Sequence, residues 1–320
     1  MLTTKKVVAI ACALLAMVFC LVQIFSGRWI LPQTFSFGPL TIHYYGLIMA
    51  LAVAVGFYLA IVRAPKYGVD EKTAEDILFW LAIGGFIGAR VYHVLSHFSY
   101  YKIYPLESFQ VWRGGLSISG AVLGGLILIW VFKKLQPSRF PLPALLDWLT
   151  PSLLVGQIIG RFGNMFNYEA FGYPANVPWK MFVPPAFRPD GYQSFNFFHP
   201  WFLYEALGNA IILIFLMWFF GSRSRSPLSE NQNLRASARD FAAAESSSDS
   251  KIFDGAGKLF FSYLLLYNAL RFVLEFLRTD STFIHGIRFN AVVSLLLAII
   301  GIIGLAAVRQ NHKSVNAQIP

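Results

Sequence analysis

Apolar positions in this chain come in long unbroken runs, not in the alternating pattern of a half-buried strand. Eight runs approach the ~20 residues needed to cross hydrocarbon: 7–25, 42–62, 75–94, 117–133, 144–160, 200–220, 259–278 and 289–308. The predicted architecture is an all-α polytopic membrane protein. Two long connections separate the runs. Residues 222–257 are rich in Ser, Arg, Asn, Ala and Asp and read as a flexible polar insertion. Residues 161–199 are rich in Pro, Phe and Tyr, too apolar for a solvated linker. They are expected to lie on the membrane surface or to cap an opening.

Composition agrees with this reading. The 320 residues are 56% hydrophobic and 13% charged, with a mean hydropathy of +0.56. A net charge of +10 could suggest nucleic acid, but the placement of Lys and Arg explains it better. With Lys5 and Lys6 inside, the inner segments carry 16 of the 26 basic residues and the outer ones 8. That bias places both termini in the cytoplasm and residues 160–169 on the outer side. The first run follows Lys5-Lys6 as a signal peptide would. It is longer than a signal core and no small-x-small site follows it, so an uncleaved helix is expected. Cys12 and Cys20 both fall in this run and give neither a disulfide framework nor metal-ligand spacing.

The chemistry lies in the polar residues that interrupt the runs. The stretch Gly160-Arg161-Phe162-Gly163-Asn164-Met165-Phe166-Asn167-Tyr168-Glu169 follows one of them. Arg161 offers a planar fork suited to a phosphate or carboxylate. Asn164 and Asn167 donate and accept, and Glu169 can neutralise the arginine or take a proton. Gly160 and Gly163 permit close approach or a positive φ. By itself the stretch also suits a polar helix end at a membrane boundary.

Arg90 sits near Gly84, Gly85 and Gly88, where it can snorkel or turn inward toward an anion. Five glycines, among them Gly114 and Gly115, crowd residues 112–125 around Ser119, as a packing surface or as cavity-lining backbone. His43, Tyr44 and Tyr45 stand at the outer end of their run, where an aromatic belt is expected. His199-Pro200 opens another run, with Glu205 one turn inside. Tyr267, Arg271, Glu275 and Arg278 recur at i, i+4, i+8 and i+11, within about 80° of one helix face. A central Arg in a membrane helix costs at least about 2.5 kcal/mol, so this stripe favours a polar cavity.

Taken together, these stretches resemble the phosphatidylglycerol–prolipoprotein diacylglyceryl transferase family. The carriers are Ile42-His43-Tyr44-Tyr45-Gly46, Gly88-Ala89-Arg90, Gly114-Gly115-Leu116-Ser117, the Gly160–Glu169 signature, His199-Pro200 with Leu203-Tyr204-Glu205, and Arg271-Phe272 with Glu275 and Arg278. The resemblance covers roughly 35–308, apart from the insertion. It implies a seven-helix core in a transferase membrane domain over 31–308, one extra N-terminal transmembrane helix over 1–30, and a cytoplasmic tail over 309–320.

It also implies transfer of the diacylglyceryl group of phosphatidylglycerol to the thiol of a prolipoprotein's lipobox cysteine, at the bacterial inner membrane. No metal or cofactor is implied. Arg161, Arg271, Tyr45, Tyr267 and Glu275 match catalytic positions. Asn164, Asn167, Glu169, Gly114, Gly115, Ser119, His199, Arg278 and Arg90 match substrate-binding ones. Many members carry a His, assigned as general base, where this chain has Ser119, which cannot serve unaided at neutral pH. Either the base lies elsewhere, or the His is not obligatory, or this copy is impaired; other members lack it too, which favours the second. A catalytically weak homologue that binds lipid or lipoprotein, and a transporter, are the alternatives. The latter predicts repeated halves, and the motifs do not recur.

Overall fold

The computed structural model describes residues 4–135, 142–221 and 256–317. All eight runs become helices: α1 (Thr4–Phe25), α2 (Tyr44–Arg63), α3 (Glu71–Ser96), α5 (Ile118–Leu135), α6 (Leu142–Asn167), α7 (Trp201–Gly221), α8 (Lys258–Glu275) and α9 (Phe289–Ala317), with a short α4 (Phe98–Tyr101) between α3 and α5. Five of them, α2, α3, α6, α7 and α9, are long and apolar enough to cross a membrane. Shorter apolar stretches lie in α1 and α5, and α8 carries Lys258, Arg271 and Glu275 within its 18 residues. The 222–257 insertion lies outside the described residues except for its last two. Helix α9 continues past the expected end at 308 to Ala317.

Local chemistry sets several boundaries. Asp70 caps α3, its carboxylate accepting from the Thr73 N–H at 2.9 Å. Pro65 follows the end of α2, and Gly68 at φ 71° closes the 3-10 turn there. Among the described residues there are three antiparallel two-stranded pairs: β1 (Thr34–Phe37) with β2 (Leu40–His43), β3 (Met181–Phe182) with β4 (Phe197–Phe198), and β5 (Phe283–Ile284) with β6 (Ile287–Arg288). In the last, His285 and Gly286 both take positive φ, as the tightest hairpin turns require.

The chain divides into two compact units. The first comprises Met1–Gly56, Leu149–Arg223 and Asp254–Pro320. Its main core joins Ile24, Met165, Phe171, Met181, Val183, Phe198, Trp201, Phe202 and Leu274. The apolar 168–199 connection thus builds a packed cap with its own aromatic interior, which is why its composition is unlike a linker's. The second unit contains Phe57–Trp148. There α3 and α5 pack through glycines: a Cβ added at Gly88 would stand 2.7 Å from the Gly124 Cα, and one at Gly124 2.8 Å from the Gly88 Cα. Small residues at four-residue spacing let the two backbones touch.

Candidate active site

Residues 161–167 are helical, a correction to the sequence expectation that the outer loop starts at Arg161. Nothing in Arg161–Asn167 breaks a helix, since a glycine in a helix costs only about 1 kcal/mol. Gly160 and Gly163 accordingly take no positive φ; among the described residues nearby, Tyr168 (φ 50°) and Ala170 (φ 53°) do. What the glycines supply is proximity. A Cβ at Gly163 would lie 3.0 Å from the Tyr45 ring, and one at Gly160 3.3 Å from the Met49 sulfur.

The helix ends in a Schellman turn. The Glu169 N–H donates to the Asn164 carbonyl at 3.1 Å and the Tyr168 N–H to that of Met165 at 3.4 Å. A left-handed tyrosine is strained, and Tyr168 is held from outside: it is buried, its ring stacks on Phe187 at 4.9 Å, and its hydroxyl accepts the Leu31 N–H at 2.6 Å. Burial pushes the Tyr168 hydroxyl above its usual pKa, against the Leu31 hydrogen bond. The turn brings Glu169 back over its own helix, where its Oε1 accepts from the amides of Asn164 (3.0 Å) and Asn167 (3.2 Å).

The carboxylate that neutralises Arg161 is therefore Glu205, not Glu169. Glu205, with no exposed surface, accepts from Arg161 at 2.7 Å and Tyr267 at 3.1 Å on Oε1, and from Arg271 at 2.7 Å on Oε2. Three helices, α6, α7 and α8, meet at this one side chain. Arg161 also donates to Asn164 Oδ1 at 3.2 Å, which links the pair to Glu169. The i,i+4 partner of Arg271, Glu275, stands farther off at 3.7 Å. Neither guanidinium is used up: the Arg161 side chain stays 21% exposed and that of Arg271 14%. Trp201, itself fully buried, lies under three cations, with the guanidiniums of Arg161, Arg271 and Arg278 at 5.5, 4.8 and 4.6 Å from its ring.

Arg278 does not continue the stripe on α8, because the helix ends at Glu275. It reaches the cluster from an extended segment bridged to Gly172. There it pairs bidentately with Asp280, at 2.8 and 2.6 Å. Burial pushes the Asp280 carboxyl up, but the hydrogen bond and charge of Arg278 outweigh it and hold the group below the usual carboxylate range. Glu275 is fully buried and accepts from the Asn290 amide at 3.1 Å. Arg288 closes the α8 terminus, donating to the Glu275 carbonyl at 2.9 Å and to the Ser281 hydroxyl at 2.7 Å. His199 Nδ1 meets the Tyr204 hydroxyl at 2.9 Å, which in turn accepts from the Trp179 indole at 2.8 Å.

Arg90, Gly114, Gly115 and Ser119 belong to the second unit. Arg90 is buried and donates to four loop carbonyls: Glu107 (2.6 Å), Ser108 (2.8 Å), Gly114 (2.7 Å) and Gly115 (3.0 Å). It clamps the connection that leads into α5. Both glycines take positive φ, and a Cβ at Gly115 would stand 2.6 Å from the His93 ring and 2.7 Å from the Arg90 guanidinium. Ser119 is exposed on the first turn of α5.

Sequence reasoning named Glu205 among the carriers of the resemblance without making it a site residue, and it gave no role to Trp201, Asp280 or Asn290. Glu205 alone carried a signal: a carboxylate one turn into an apolar run is costly without a partner.

The prolipoprotein diacylglyceryl transferase family model matches residues 32–236 and 242–307 of this chain. A phosphatidylglycerol–prolipoprotein diacylglyceryl transferase of Fervidobacterium nodosum is 35% identical over 313 residues, covering 96% of this chain and 97% of its own. One of Trichormus variabilis is 37% identical over 276 residues, covering 86% and 88%. One of Thermotoga maritima is 32% identical over 292 residues, covering 91% and 89%.

Proposed function

The chain belongs to the prolipoprotein diacylglyceryl transferase family, and on that premise we propose that it moves the diacylglyceryl group of phosphatidylglycerol onto the thiol of a prolipoprotein's lipobox cysteine. The convergence of Arg161 and Arg271 on buried Glu205 carries this reading. Two guanidiniums from different helices are oriented by one carboxylate and still keep exposed donors. That arrangement suits a phosphodiester, whose oxygens take bidentate hydrogen bonds from arginine.

In the reaction the cysteine thiolate attacks the glyceryl carbon that bears the phosphate oxygen. The C–S bond forms, the C–O bond breaks, and glycerol phosphate leaves with the electron pair and an added negative charge. Arg161 and Arg271 meet that charge with donors fixed in advance. Asn164, Asn167 and Glu169 are the polar wall beside Arg161, and Tyr45 packs where Gly163 leaves room. Tyr267 donates to the Glu205 Oε1 that also accepts from Arg161. The thiol proton must be removed, because thiolate is the nucleophile. Arg90, Gly114 and Gly115 shape the loop before α5. His199, fixed through Tyr204, and Arg278, fixed through Asp280, complete the substrate-binding set. The Lys and Arg distribution supports an inner-membrane protein with cytoplasmic termini and a site open to the periplasmic side.

Purified protein given phosphatidylglycerol and a lipobox peptide should yield a peptide heavier by one diacylglyceryl group, together with glycerol phosphate. Arg161→Lys and Arg271→Lys should each remove most of that activity, since lysine keeps the charge and loses the fork. Absence of both products from the wild-type protein would overturn the assignment.

A further inference from the structure

We propose that Trp201 is a positioning residue for the transfer reaction, the shared aromatic face that fixes the guanidiniums of Arg161, Arg271 and Arg278. The proposal rests on the reading of Arg161 and Arg271 as phosphate holders. Trp201 is the first residue of α7 and has no exposed surface. Its indole N–H donates to the Leu274 carbonyl at 2.6 Å, which ties the ring to the last turn of α8 beside Glu275. Arg161 comes from α6, Arg271 from α8 and Arg278 from the segment beyond it, and all three approach the one ring within 5.5 Å.

Three like charges do not gather of their own accord. Glu205, Glu275 and Asp280 neutralise them but pull in different directions, and an arginine side chain has many rotamers to lose on ordering. An indole face is negative at its centre and attracts a guanidinium most strongly where water is excluded. It also presents a flat wall against which a planar cation has few orientations. Leu in its place would fill space without a negative face. Phe would keep a smaller face without the N–H. The carboxylates thus supply neutrality and the ring supplies direction, and a bidentate site depends on direction.

The experiment compares Trp201→Phe with Trp201→Leu in the full-length enzyme, by steady-state kinetics against phosphatidylglycerol and by thermal unfolding in detergent. Both variants lose the indole N–H, and Leu leaves the larger void, so a purely structural role lowers the midpoint more in Trp201→Leu and gives activities that follow the midpoints. Positioning gives a different split at a temperature well below both midpoints: kcat/KM down about tenfold or more in Trp201→Leu, as loss of a desolvated cation–ring contact implies, and most of that recovered in Trp201→Phe. Trp201→Met replaces the Leu variant if the latter does not insert. Equal activity in the Phe and aliphatic variants, or activity that simply follows the midpoint, overturns the proposal. Arg161→Lys run alongside separates the two levels. Near-normal turnover there removes the phosphate-holding reading and this proposal with it; loss of turnover there, with Phe and Leu alike, removes the proposal alone.

Discussion

Arg271 and Glu205 are 66 positions apart in the chain and 2.7 Å apart in the fold, and the Glu205 carboxylate, which Arg161 also uses, has no contact with solvent. Removing one partner of a buried pair costs about 3–5 kcal/mol, because the other charge is left uncompensated. Glu205→Gln should therefore lower the unfolding midpoint and reduce kcat/KM by about 100-fold or more, since both arginines lose their guide. Glu169→Gln is the contrast: Glu169 is exposed and accepts only from amides, so its midpoint should barely move. Near-normal kinetics for Glu205→Gln would show that the arginines are oriented by something else.

Ser119 is exposed at the start of α5 and is a poor base. Ser119→Ala should keep much of the activity and Ser119→His should be tolerated. Rates between about pH 6 and about pH 9, a range that starts below and ends well above the ordinary pKa of a histidine at about 6.5, test both variants. Abolished turnover in Ser119→Ala with lipid binding intact would put Ser119, or a water it holds, on the proton path.

The α3–α5 contact predicts opposite outcomes for glycines three residues apart on one helix. Gly88→Ala places a methyl against the Gly120 carbonyl and the Gly124 backbone, overpacking that should cost about 1–3 kcal/mol. At Gly85 the nearest atom is the Ala121 carbonyl at 3.7 Å, an ordinary contact. Gly85→Ala should be neutral or stabilising by up to about 1 kcal/mol, the gain in helix propensity. Thermal unfolding of the two proteins decides this; equal destabilisation would contradict the packing.

Asp280 gives a pH signature. Its carboxyl is held below its ordinary value of 3.8, so its pairing with Arg278 contributes stability above that value and loses it as pH falls through the lower folded-state value. The Asp280 side chain is 51% exposed, and solvent limits the contribution to about 1 kcal/mol. Asp280→Asn should unfold slightly earlier than wild type at neutral pH, and the gap should close below about pH 4. A gap that widens on acidification would mean that the carboxyl is not ion-paired in the native state.

The run lengths were enough to read the helices, because hydrocarbon thickness dictates them. Arg161 and Arg271 were legible for the same reason: a charge in an apolar run is too costly to be idle. What could not be read was pairing. Arg271 has a carboxylate four residues away in Glu275, yet takes Glu205 from another helix at shorter range. Local spacing gives candidates, and tertiary packing chooses among them. The end of α6 was misplaced because polarity changes at Arg161 while the backbone turns only at Tyr168, where a hydrogen bond from the Leu31 N–H and stacking on Phe187 hold a left-handed residue that composition does not advertise. Trp201 drew no attention in the sequence, since cations that meet over a ring are invisible until three elements are brought together.

The Glu205 carboxylate also bears on biogenesis. Helix α8 contains three charged residues and is not among the helices apolar enough to cross by themselves; a lone Arg at a bilayer centre is penalised by about 2.5–3.5 kcal/mol during insertion. Helix α7 is synthesised first and already holds the counter-charge. Helices α7 and α8 are then able to enter as a hairpin whose charges balance, so the ion pair that orders Arg271 also eases the membrane entry of the segment that carries it. A Glu205 variant should accordingly show a topology fault before an enzymatic one: a cysteine placed at Ser281 would become reactive from the wrong side of the membrane in a fraction of the molecules.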